Sequence, residues 1–330
     1  MKKIITLFLT LFIIVTLVSC GKPTKNVSVF YYDKDDTFLN LLRDELDNKL
    51  SQEYNYSNYY ASKSQVTQNL QVEECIGKTD ILLMNMVDRL SSGAIVEKCQ
   101  KNNLPVIFFN REPLLNDIVN YENCYYVGPN SEEQGILQVE CASNLFGDPN
   151  NLNSKYDLNH DNKIQLVILK GEQGHQDAEK RTQACLSELK KRGYDIELIS
   201  IGVCNWSRKE AYNLFWTQYT QTLKNVELIL SNNDEMAIGA ATYIKSIMTK
   251  DEEMIPVIGV DATPDGIEAV NSKLLVSTIV NDHEKQVAAI SCLTDILLNE
   301  DKSINDFDYD IYNYKYIYIG SKIYTNESES

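Results

Sequence analysis

Residues 157–181 read Asp-Leu-Asn-His-Asp-Asn-Lys-Ile-Gln-Leu-Val-Ile-Leu-Lys-Gly-Glu-Gln-Gly-His-Gln-Asp-Ala-Glu-Lys-Arg and combine a loop, a strand and the start of a helix. The mostly apolar run at 164–170 predicts a strand that is covered on both faces. In the loop before it, oxygen-bearing side chains occur at every second position, the spacing that calcium requires. Asp177 and Arg181 are four residues apart, so they share one face of the next helix. The segment therefore predicts an ion site and a polar ligand site at opposite ends of one strand.

Apolar runs of strand length alternate with helix-length segments along most of the chain. This alternation predicts an α/β fold with parallel sheets, and the length favours two doubly wound lobes over one large sheet. The predicted strands are 27–32, 80–85, 105–110, 164–170, 196–201, 226–231, 257–261 and 276–280. The predicted helices are 38–50, 94–102, 131–145, 178–191, 235–248 and 284–298.

Polar or aromatic side chains follow almost every predicted strand. Ligands bind beyond the carboxyl ends of the strands in such sheets. Carboxylates, amides and a guanidinium can together satisfy hydroxyls, which both donate and accept hydrogen bonds, and aromatic rings can cover the C–H faces of a sugar ring. The set therefore indicates a neutral polyhydroxylated ligand. Its members include Asp33, Asp35, Asp36, Asn110, His175, Asp177, Asn205, Trp206, Asn232, Asn233, Asp234, Asp261, Asn281 and Asp282.

Each of these residues also has a simpler explanation. A lone Asp or Asn at a strand end is more often a helix N-cap or a turn residue. Phe38 and Trp206, taken singly, are more often core residues. Capping alone does not account for so many side chains of one chemical character at successive strand ends, so the argument for a ligand site rests on the set.

The N-terminal segment has the pattern of a bacterial lipoprotein signal peptide. Met1-Lys2-Lys3 is positively charged, and the apolar run at 4–18 is too short for a comfortable membrane span. The run ends in Leu-Val-Ser-Cys at 17–20, which resembles a lipobox. We expect residues 1–19 to be removed, Cys20 to be lipidated and residues 20–26 to tether the protein to the outer face of a membrane.

Composition excludes several classes of function. The formal net charge of −16 makes nucleic acid an improbable partner. Cys20 belongs to the lipobox, and the other cysteines are scattered and contain no CxxC pair, which argues against a disulfide framework and against a zinc site. We expect most of them to be small buried apolar residues.

Several motifs along the chain resemble one known family. They are Tyr-Asp-Lys-Asp-Asp-Thr-Phe at 32–38, Phe-Phe-Asn-Arg-Glu-Pro at 108–113, Tyr-Val-Gly-Pro-Asn-Ser at 126–131, the segment 157–181, Ser-Asn-Asn-Asp-Glu-Met-Ala at 231–237, Val-Ile-Gly-Val-Asp-Ala at 257–262 and Ser-Thr-Ile-Val-Asn-Asp at 277–282. In this order they resemble the bacterial galactose/glucose-binding proteins, the substrate receptors of methyl-galactoside ABC transporters. Because the motifs span nearly the whole chain, the resemblance is more specific than any one of them.

The resemblance implies a hexose of the glucose or galactose type as ligand. In this family Phe38 and Trp206 would enclose the pyranose ring. Asp36 would accept a hydrogen bond from an axial or an equatorial hydroxyl at C4, which permits either epimer. The implied sugar contacts are Asp36, Phe38, Asn110, His175, Asp177, Arg181, Trp206, Asn233, Asp261 and Asn281.

The resemblance also bears on the acidic loop. An EF-hand requires a bidentate Glu at its twelfth position, where this chain has Ile168, so the loop is not an isolated EF-hand. In the binding-protein family a distant residue supplies that carboxylate, and Glu227 matches its position. Asn162 replaces the usual loop glycine, a substitution that Asn tolerates. A solvated acidic turn is the alternative to a structural Ca²⁺ ion. The implied metal ligands are Asp157, Asn159, Asp161, the Lys163 carbonyl, Gln165 and Glu227.

The family fold implies a three-crossing hinge between the two lobes. We expect residues 27–129 plus 282–319 to form the N-terminal lobe and residues 130–281 plus 320–330 to form the C-terminal lobe. Sugar would bind in the cleft, contacts from both lobes would favour the closed form, and an ABC permease in the membrane would recognise that form. The resemblance implies that the protein is a monomer and performs no chemistry.

Three other functions are compatible with parts of the sequence. A sugar sensor that presents its closed form to a chemoreceptor or a sensor kinase would use the same receptor. A glycosidase would use carboxylates such as Asp36, Asp177 and Asp261, but we expect Arg181 to hold them ionised, which suits hydrogen bonding better than acid catalysis. A transcriptional repressor is disfavoured because an export signal occupies the place of a DNA-binding head.

Overall fold

The computed structural model of the chain describes residues 24–248 and 254–326, which form two α/β lobes. Each lobe is built on a six-stranded sheet. The predicted fold class, two doubly wound lobes with parallel sheets, is confirmed. The predicted signal peptide and Cys20 lie outside the described residues, as do the first residues of the predicted tether.

Strands and helices alternate along the described chain. The strands are β1 Asn26–Tyr31, β2 Asn55–Tyr60, β3 Ile81–Met84, β4 Val106–Phe109, β5 Cys124–Pro129, β6 Gly147–Asp148, β7 Asn151–Leu152, β8 Ile164–Lys170, β9 Ile196–Val203, β10 Leu228–Ser231, β11 Val257–Asp261, β12 Ser277–Val280, β13 Tyr316–Ile319 and β14 Lys322–Thr325. The α-helices are Thr37–Leu50, Gln65–Cys75, Ser92–Lys101, Leu115–Ile118, Ser131–Phe146, Gln176–Lys191, Arg208–Gln218, Asp234–Ile247, Pro264–Asn271 and His283–Leu298.

The order of strands is that of a doubly wound sheet in each lobe. The N-terminal lobe has the order β13-β5-β4-β3-β1-β2, and all of its neighbouring strands are parallel. The C-terminal lobe has the order β14-β12-β11-β10-β8-β9, in which β14 pairs antiparallel with β12 and the other pairs are parallel. The strand order in each sheet reverses direction next to the first strand, and this reversal opens a crevice at the carboxyl ends.

Both faces of each sheet are covered, as continuously apolar strands require. In β4, Phe108 packs in one apolar cluster and Phe109 in the cluster on the opposite face. In β8, Val167 and Ile168 divide in the same way between two clusters of the C-terminal lobe. The lobes therefore have separate cores, and each core has two layers.

The chain passes between the two sheets three times. It leaves the N-terminal sheet after β5, returns after β12 and leaves again between β13 and β14. At the third passage, the backbone N–H of Ser321 donates to the Glu133 carboxylate at 3.2 Å. This bond ties the third passage to the first turn of helix Ser131–Phe146, which follows the first passage, so these two passages lie side by side.

Two further features of the described residues concern the environment of the chain. The cysteines beyond Cys20 are free, and all except the half-buried Cys292 are buried. Within residues 24–248 and 254–326, no helix combines the length and the apolar character needed to cross a membrane.

Candidate functional site

A cavity of about 380 Å³ lies between the lobes, at the carboxyl ends of both sheets. Its walls contain every residue that the sequence predicts to contact a sugar. The N-terminal lobe contributes three of them, the C-terminal lobe six, and Asn281 comes from the second passage between the lobes. The residues are Asp36, Phe38, Asn110, His175, Asp177, Arg181, Trp206, Asn233, Asp261 and Asn281.

Asp36 is fixed through both oxygens of its carboxylate. Its Oδ1 accepts from the Leu39 backbone N–H at 2.8 Å, because Asp36 is the N-cap of helix Thr37–Leu50. Its Oδ2 accepts from the Tyr32 hydroxyl at 2.7 Å. Each oxygen keeps lone-pair capacity for a ligand hydroxyl, so the carboxylate faces the cavity with a set orientation.

Asn110 adopts a left-handed backbone conformation, with φ of 60°. Its Oδ1 accepts from the Asn85 Nδ2 group at 3.0 Å, and its carbonyl accepts from the Tyr126 hydroxyl at 3.1 Å. Conformations of this kind cost energy in a non-glycine residue and persist where neighbouring groups hold them. Asn110 is therefore a pre-organised amide on the N-terminal wall.

Helix Gln176–Lys191 supplies the charged part of the opposite wall. His175 is its N-cap, and its Nδ1 accepts from the Asp177 backbone N–H at 3.2 Å. The Arg181 guanidinium donates to Gln134 Oε1 and to the Asn232 carbonyl, both at 2.8 Å. These neutral acceptors hold Arg181 without cancelling its charge, which stays available to the cavity.

Burial dominates the electrostatics of this wall. It raises the pKa of Asp177 and raises that of Asp261 to about 7, and in both cases Arg181 opposes the shift. Burial, assisted by Arg111 and Arg181, lowers the pKa of His175 well below its usual value. Arg181 favours the ionised forms of Asp177 and Asp261, as expected, but desolvation outweighs its charge for both groups.

Trp206 is held on the C-terminal wall by its backbone and by its neighbours. Asn205 and Trp206 have φ of 46° and 65°, and the Asn233 Nδ2 group donates to the Trp206 carbonyl at 3.3 Å. The His175 ring packs edge-on against the indole, with 5.0 Å between the two ring centroids. Gly171 passes so close that a Cβ there would lie 2.3 Å from the ring. The indole is thus a fixed platform.

Asp261 ends β11 in a strained conformation, with φ of 111°. The Asn281 Nδ2 group donates to Asp261 Oδ1 at 3.1 Å. The buried Asp234 carboxylate accepts from the Thr263 N–H at 2.9 Å and from the Thr278 hydroxyl at 2.5 Å, which fixes the turn after β11. Several groups therefore share the cost of holding Asp261 in place.

Three of the predicted sugar contacts are also helix N-caps: Asp36, His175 and Asn233. Capping and a place in the cavity wall are therefore compatible in these residues, because one oxygen or nitrogen caps the helix while the rest of the side-chain group faces the cavity. The positive ends of three helices also point toward the cavity and partly offset its carboxylates.

Other cavity-lining residues were missing from the predicted set. Tyr32 and Arg111 lie within matched motifs, but no chemical signal singled them out. Arg208 makes a fork to the Glu235 carboxylate at 2.7 and 2.9 Å and also contacts Asp265 at 2.6 Å, which anchors the segment after Trp206. Its partners follow it by 27 and 57 residues, too far apart for local pattern to reveal them.

The predicted metal ligands lie together at the amino end of β8. Glu227, just before β10, is 2% exposed, and its Oε1 accepts from the Leu158 N–H at 2.6 Å. Asp157 is 5% exposed and accepts from the Asp161 and Asn162 amides at 3.2 and 3.1 Å.

The side-chain atoms of this loop that could bind a cation are mostly oxygen atoms. Asn159 Oδ1 accepts from the Asp161 N–H at 3.0 Å, and Asp161 Oδ1 accepts from the Lys163 N–H at 2.9 Å. Gln165 Oε1 is buried without a hydrogen-bond partner among the described residues. Over the same residues, no three His, Cys, Asp or Glu side chains are grouped so as to hold a metal by themselves. A cation here would need the amide oxygens and the Lys163 carbonyl as well, and a hard cation accepts such oxygens.

Comparison with known proteins defines the class of this chain. Residues 27–302 match the family model described as a periplasmic binding protein domain. The chain therefore belongs to the periplasmic binding protein family, whose two-lobed architecture it shares.

One curated relative is similar to most of the chain. The D-galactose/methyl-galactoside binding periplasmic protein MglB of Haemophilus influenzae is 34% identical over 275 residues, which are 82% of this chain and 81% of the relative. The relatives are binding proteins, and this chain is likewise not an enzyme.

Solved structures share the fold at low identity. An ABC transporter solute binding protein from Bacillus halodurans with bound myo-inositol matches with a TM-score of 0.75 at 23% identity, over 94% of this chain and 97% of that chain. A periplasmic solute binding protein from Actinobacillus succinogenes with bound D-allose matches with a TM-score of 0.76 at 20% identity, over 92% and 98%. At these identities the likeness establishes the fold alone.

Proposed function

We propose that this protein is an extracytoplasmic receptor that captures D-galactose or D-glucose between its lobes and delivers the sugar to an ABC permease. The observation that carries the proposal is the convergence of all the predicted sugar contacts, drawn from both lobes, on one cavity of about 380 Å³. The MglB relative, named for galactose and methyl-galactoside, supports the same ligand.

The chemistry of the walls suits a hexopyranose. Phe38 and Trp206 come from opposite lobes and offer aromatic surfaces to the C–H faces of a ring. Carboxylates, amides and Arg181 line the space between them and can pair with hydroxyls as donors or acceptors. Since the contacts come from both lobes, a bound sugar favours the closed form, which the permease then recognises.

Isothermal titration against galactose, glucose, allose, ribose and myo-inositol tests the ligand. We expect tight binding of galactose, glucose or both, and weak or undetectable binding of the other three. A titration that is flat to millimolar galactose and glucose, with binding of another compound, rejects the hexose assignment and leaves the receptor class intact.

We also propose that the loop at 157–165 and Glu227 bind a structural Ca²⁺ ion. Two buried carboxylates, Asp157 and Glu227, and the unpartnered Gln165 Oε1 support a hard cation with oxygen ligands. The ion would add positive charge where two carboxylates are buried together and would cross-link the loop to β10. The sugar cavity lies at the other end of β8, so the ion would have no contact with the ligand.

We further propose export of the protein and lipidation of Cys20, on the charge, length and terminal Leu-Val-Ser-Cys of the first residues. Labelled palmitate should enter the full-length protein in a bacterial host. Incorporation that persists in Cys20→Ser rejects the anchor.

A further inference from the structure

Arg111 bridges the two lobes although it is not among the predicted sugar contacts. It follows Asn110 on the N-terminal wall and is 6% exposed. Its guanidinium donates to the Val87 carbonyl at 2.6 Å and to the Glu172 carboxylate at 2.7 Å. Glu172 belongs to the opposite lobe, so one arm of the guanidinium is held by each lobe.

The same guanidinium lies over the Tyr32 ring. The Arg111 Cζ atom is 3.8 Å from the centre of the Tyr32 ring, and the Tyr32 hydroxyl donates to Asp36 Oδ2 at 2.7 Å. A continuous series of contacts thus runs from Glu172 through Arg111 and Tyr32 to Asp36. Stacking on a planar guanidinium restricts the ring, and the ring sets the direction of its hydroxyl.

A second ion pair joins the lobes beside the first. Lys180 from the C-terminal lobe contacts Glu112 at 2.7 Å, and the Tyr318 hydroxyl donates to the same Glu112 oxygen at 3.2 Å. Consecutive residues, Arg111 and Glu112, therefore both reach partners across the cleft. Each of these two side chains is therefore held from both lobes, Arg111 by Val87 and Glu172, and Glu112 by Tyr318 and Lys180.

We propose that Arg111 is a positioning residue for Asp36 and that Glu172, from the opposite lobe, sets the position of Arg111. The inference rests on the proposed function, in which the ligand is a hexose and the Asp36 carboxylate accepts a hydrogen bond from its C4 hydroxyl. Closure of the lobes brings Glu172 to Arg111, Arg111 restrains Tyr32, and Tyr32 orients the Asp36 carboxylate. The discrimination between galactose and glucose is then made in the closed form.

Glu172→Gln tests the proposal because it removes the charge of the partner and leaves every sugar contact in place. We expect the dissociation constants of both hexoses to rise by roughly threefold to tenfold, since Glu172 is half-exposed while Arg111 is buried. We also expect the ratio of the galactose and glucose constants to change by at least about twofold. Calorimetry with each sugar gives both numbers.

Glu73→Gln is the matched control. Glu73 pairs with Lys98 within the N-terminal lobe and neither residue lines the cavity, so the loss of this charge should leave both constants and their ratio unchanged. In a Tyr32→Phe background, where the hydroxyl is gone, Glu172→Gln should no longer change the ratio. Residues that act through one another show such non-additivity.

The outcomes separate the inference from the function on which it rests. If the wild-type protein binds neither hexose, the proposed function and the inference both fall. If it binds them and Glu172→Gln weakens both equally, the ion pair only holds the lobes together and the positioning role is rejected. A ratio that changes to the same extent with and without the Tyr32 hydroxyl also rejects it.

Discussion

Strand β8 has buried carboxylates at both of its ends, and the two ends neutralise them differently. At the carboxyl end, Asp177 and Asp261 share the cavity with the Arg181 guanidinium. At the amino end, Asp157 and Glu227 accept hydrogen bonds from loop amides. Because Arg181 already supplies a positive charge, the first cluster suits the proposed neutral ligand, whereas the second cluster would suit the proposed cation from solution.

Removing the Arg181 guanidinium should leave the carboxylates at the carboxyl end of β8 without a positively charged neighbour, as they are at its amino end. In Arg181→Met, the Asp177 and Asp261 carboxylates lose their positive neighbour, and hexose binding should weaken by at least about 100-fold, on the scale of a broken buried charge interaction. Calorimetry measures the loss. Arg192→Met is the control, because Arg192 is the C-cap of the same helix, pairs with Glu188 and does not line the cavity. Wild-type affinity in Arg181→Met would contradict the role of Arg181.

Removing the proposed cation should affect stability and leave binding intact. A ligand at about 100 times its dissociation constant stabilises a protein by about 2.7 kcal/mol, so chelation should lower the melting temperature by roughly 5 to 10 °C. Glu227→Gln should abolish the calcium response, whereas Asp195→Asn, a change in an exposed partner of Lys163, should keep it. Melting curves with and without EDTA decide the matter. A melting temperature that does not depend on calcium would contradict the proposed ion. A hexose dissociation constant that changes with calcium would contradict the independence of the two ends of β8.

The aromatic platform at the carboxyl end gives a smaller effect. Trp206→Ala should weaken hexose binding by about 1 to 3 kcal/mol, because the sugar loses apolar contact with the indole. The chain has two tryptophans, and Trp216 is 66% exposed on a helix outside the cavity. The emission change on adding sugar should therefore persist in Trp216→Phe and vanish in Trp206→Phe. The reverse pattern would remove Trp206 from the site.

The smallest expected effect is a pH dependence at the same end. Burial raises the pKa of Asp261 to about 7, so the accepting carboxylate is lost as the pH falls. Hexose affinity should drop about tenfold from pH 8 to pH 6, since each unit below a pKa lowers the ionised fraction about tenfold. Calorimetry at several pH values measures this, and an affinity that is flat from pH 8 to pH 6 would contradict the assignment.

The stability of the sugar-free protein should change in the opposite direction. Because the pKa of Asp261 is higher in the folded chain than its ordinary 3.8, the folded state holds more protons between about pH 4 and 7. Stability from this group is therefore lost as the pH rises through that window. Asp261→Asn should flatten the dependence.

The core of the fold could be predicted from sequence because its strands are continuously apolar. Strand β8 was predicted with the bounds that it has, Ile164–Lys170. Strand β2, Asn55–Tyr60, was missed because it is a partly exposed edge strand of Asn, Ser and Tyr without an apolar run. Helix Gln65–Cys75 was missed because its buried side includes Gln68, which donates to the Asn85 carbonyl. Tertiary contacts decide such segments.

The site could be predicted only as far as its residues lie in motifs. Strand-end positions and family resemblance identified many of the residues that line the cavity, although not Tyr32, Arg111 or Arg208. The Arg111 and Glu172 pair could not be found in this way, because its members are 61 residues apart on different lobes. The raised pKa of Asp261 was also out of reach, since it depends on burial that only the assembled cleft provides.

Strands β13 and β14 are separated by two residues and complete different sheets. Each is the outermost strand on its side, so β5 and β12 keep unpaired edges until residues 316–325 arrive. A ribosome makes those residues after every other strand of both sheets. Both lobes therefore acquire their final strand almost at once, and a chain that stops before residue 316 carries two open sheet edges instead of one finished lobe and one unfinished lobe.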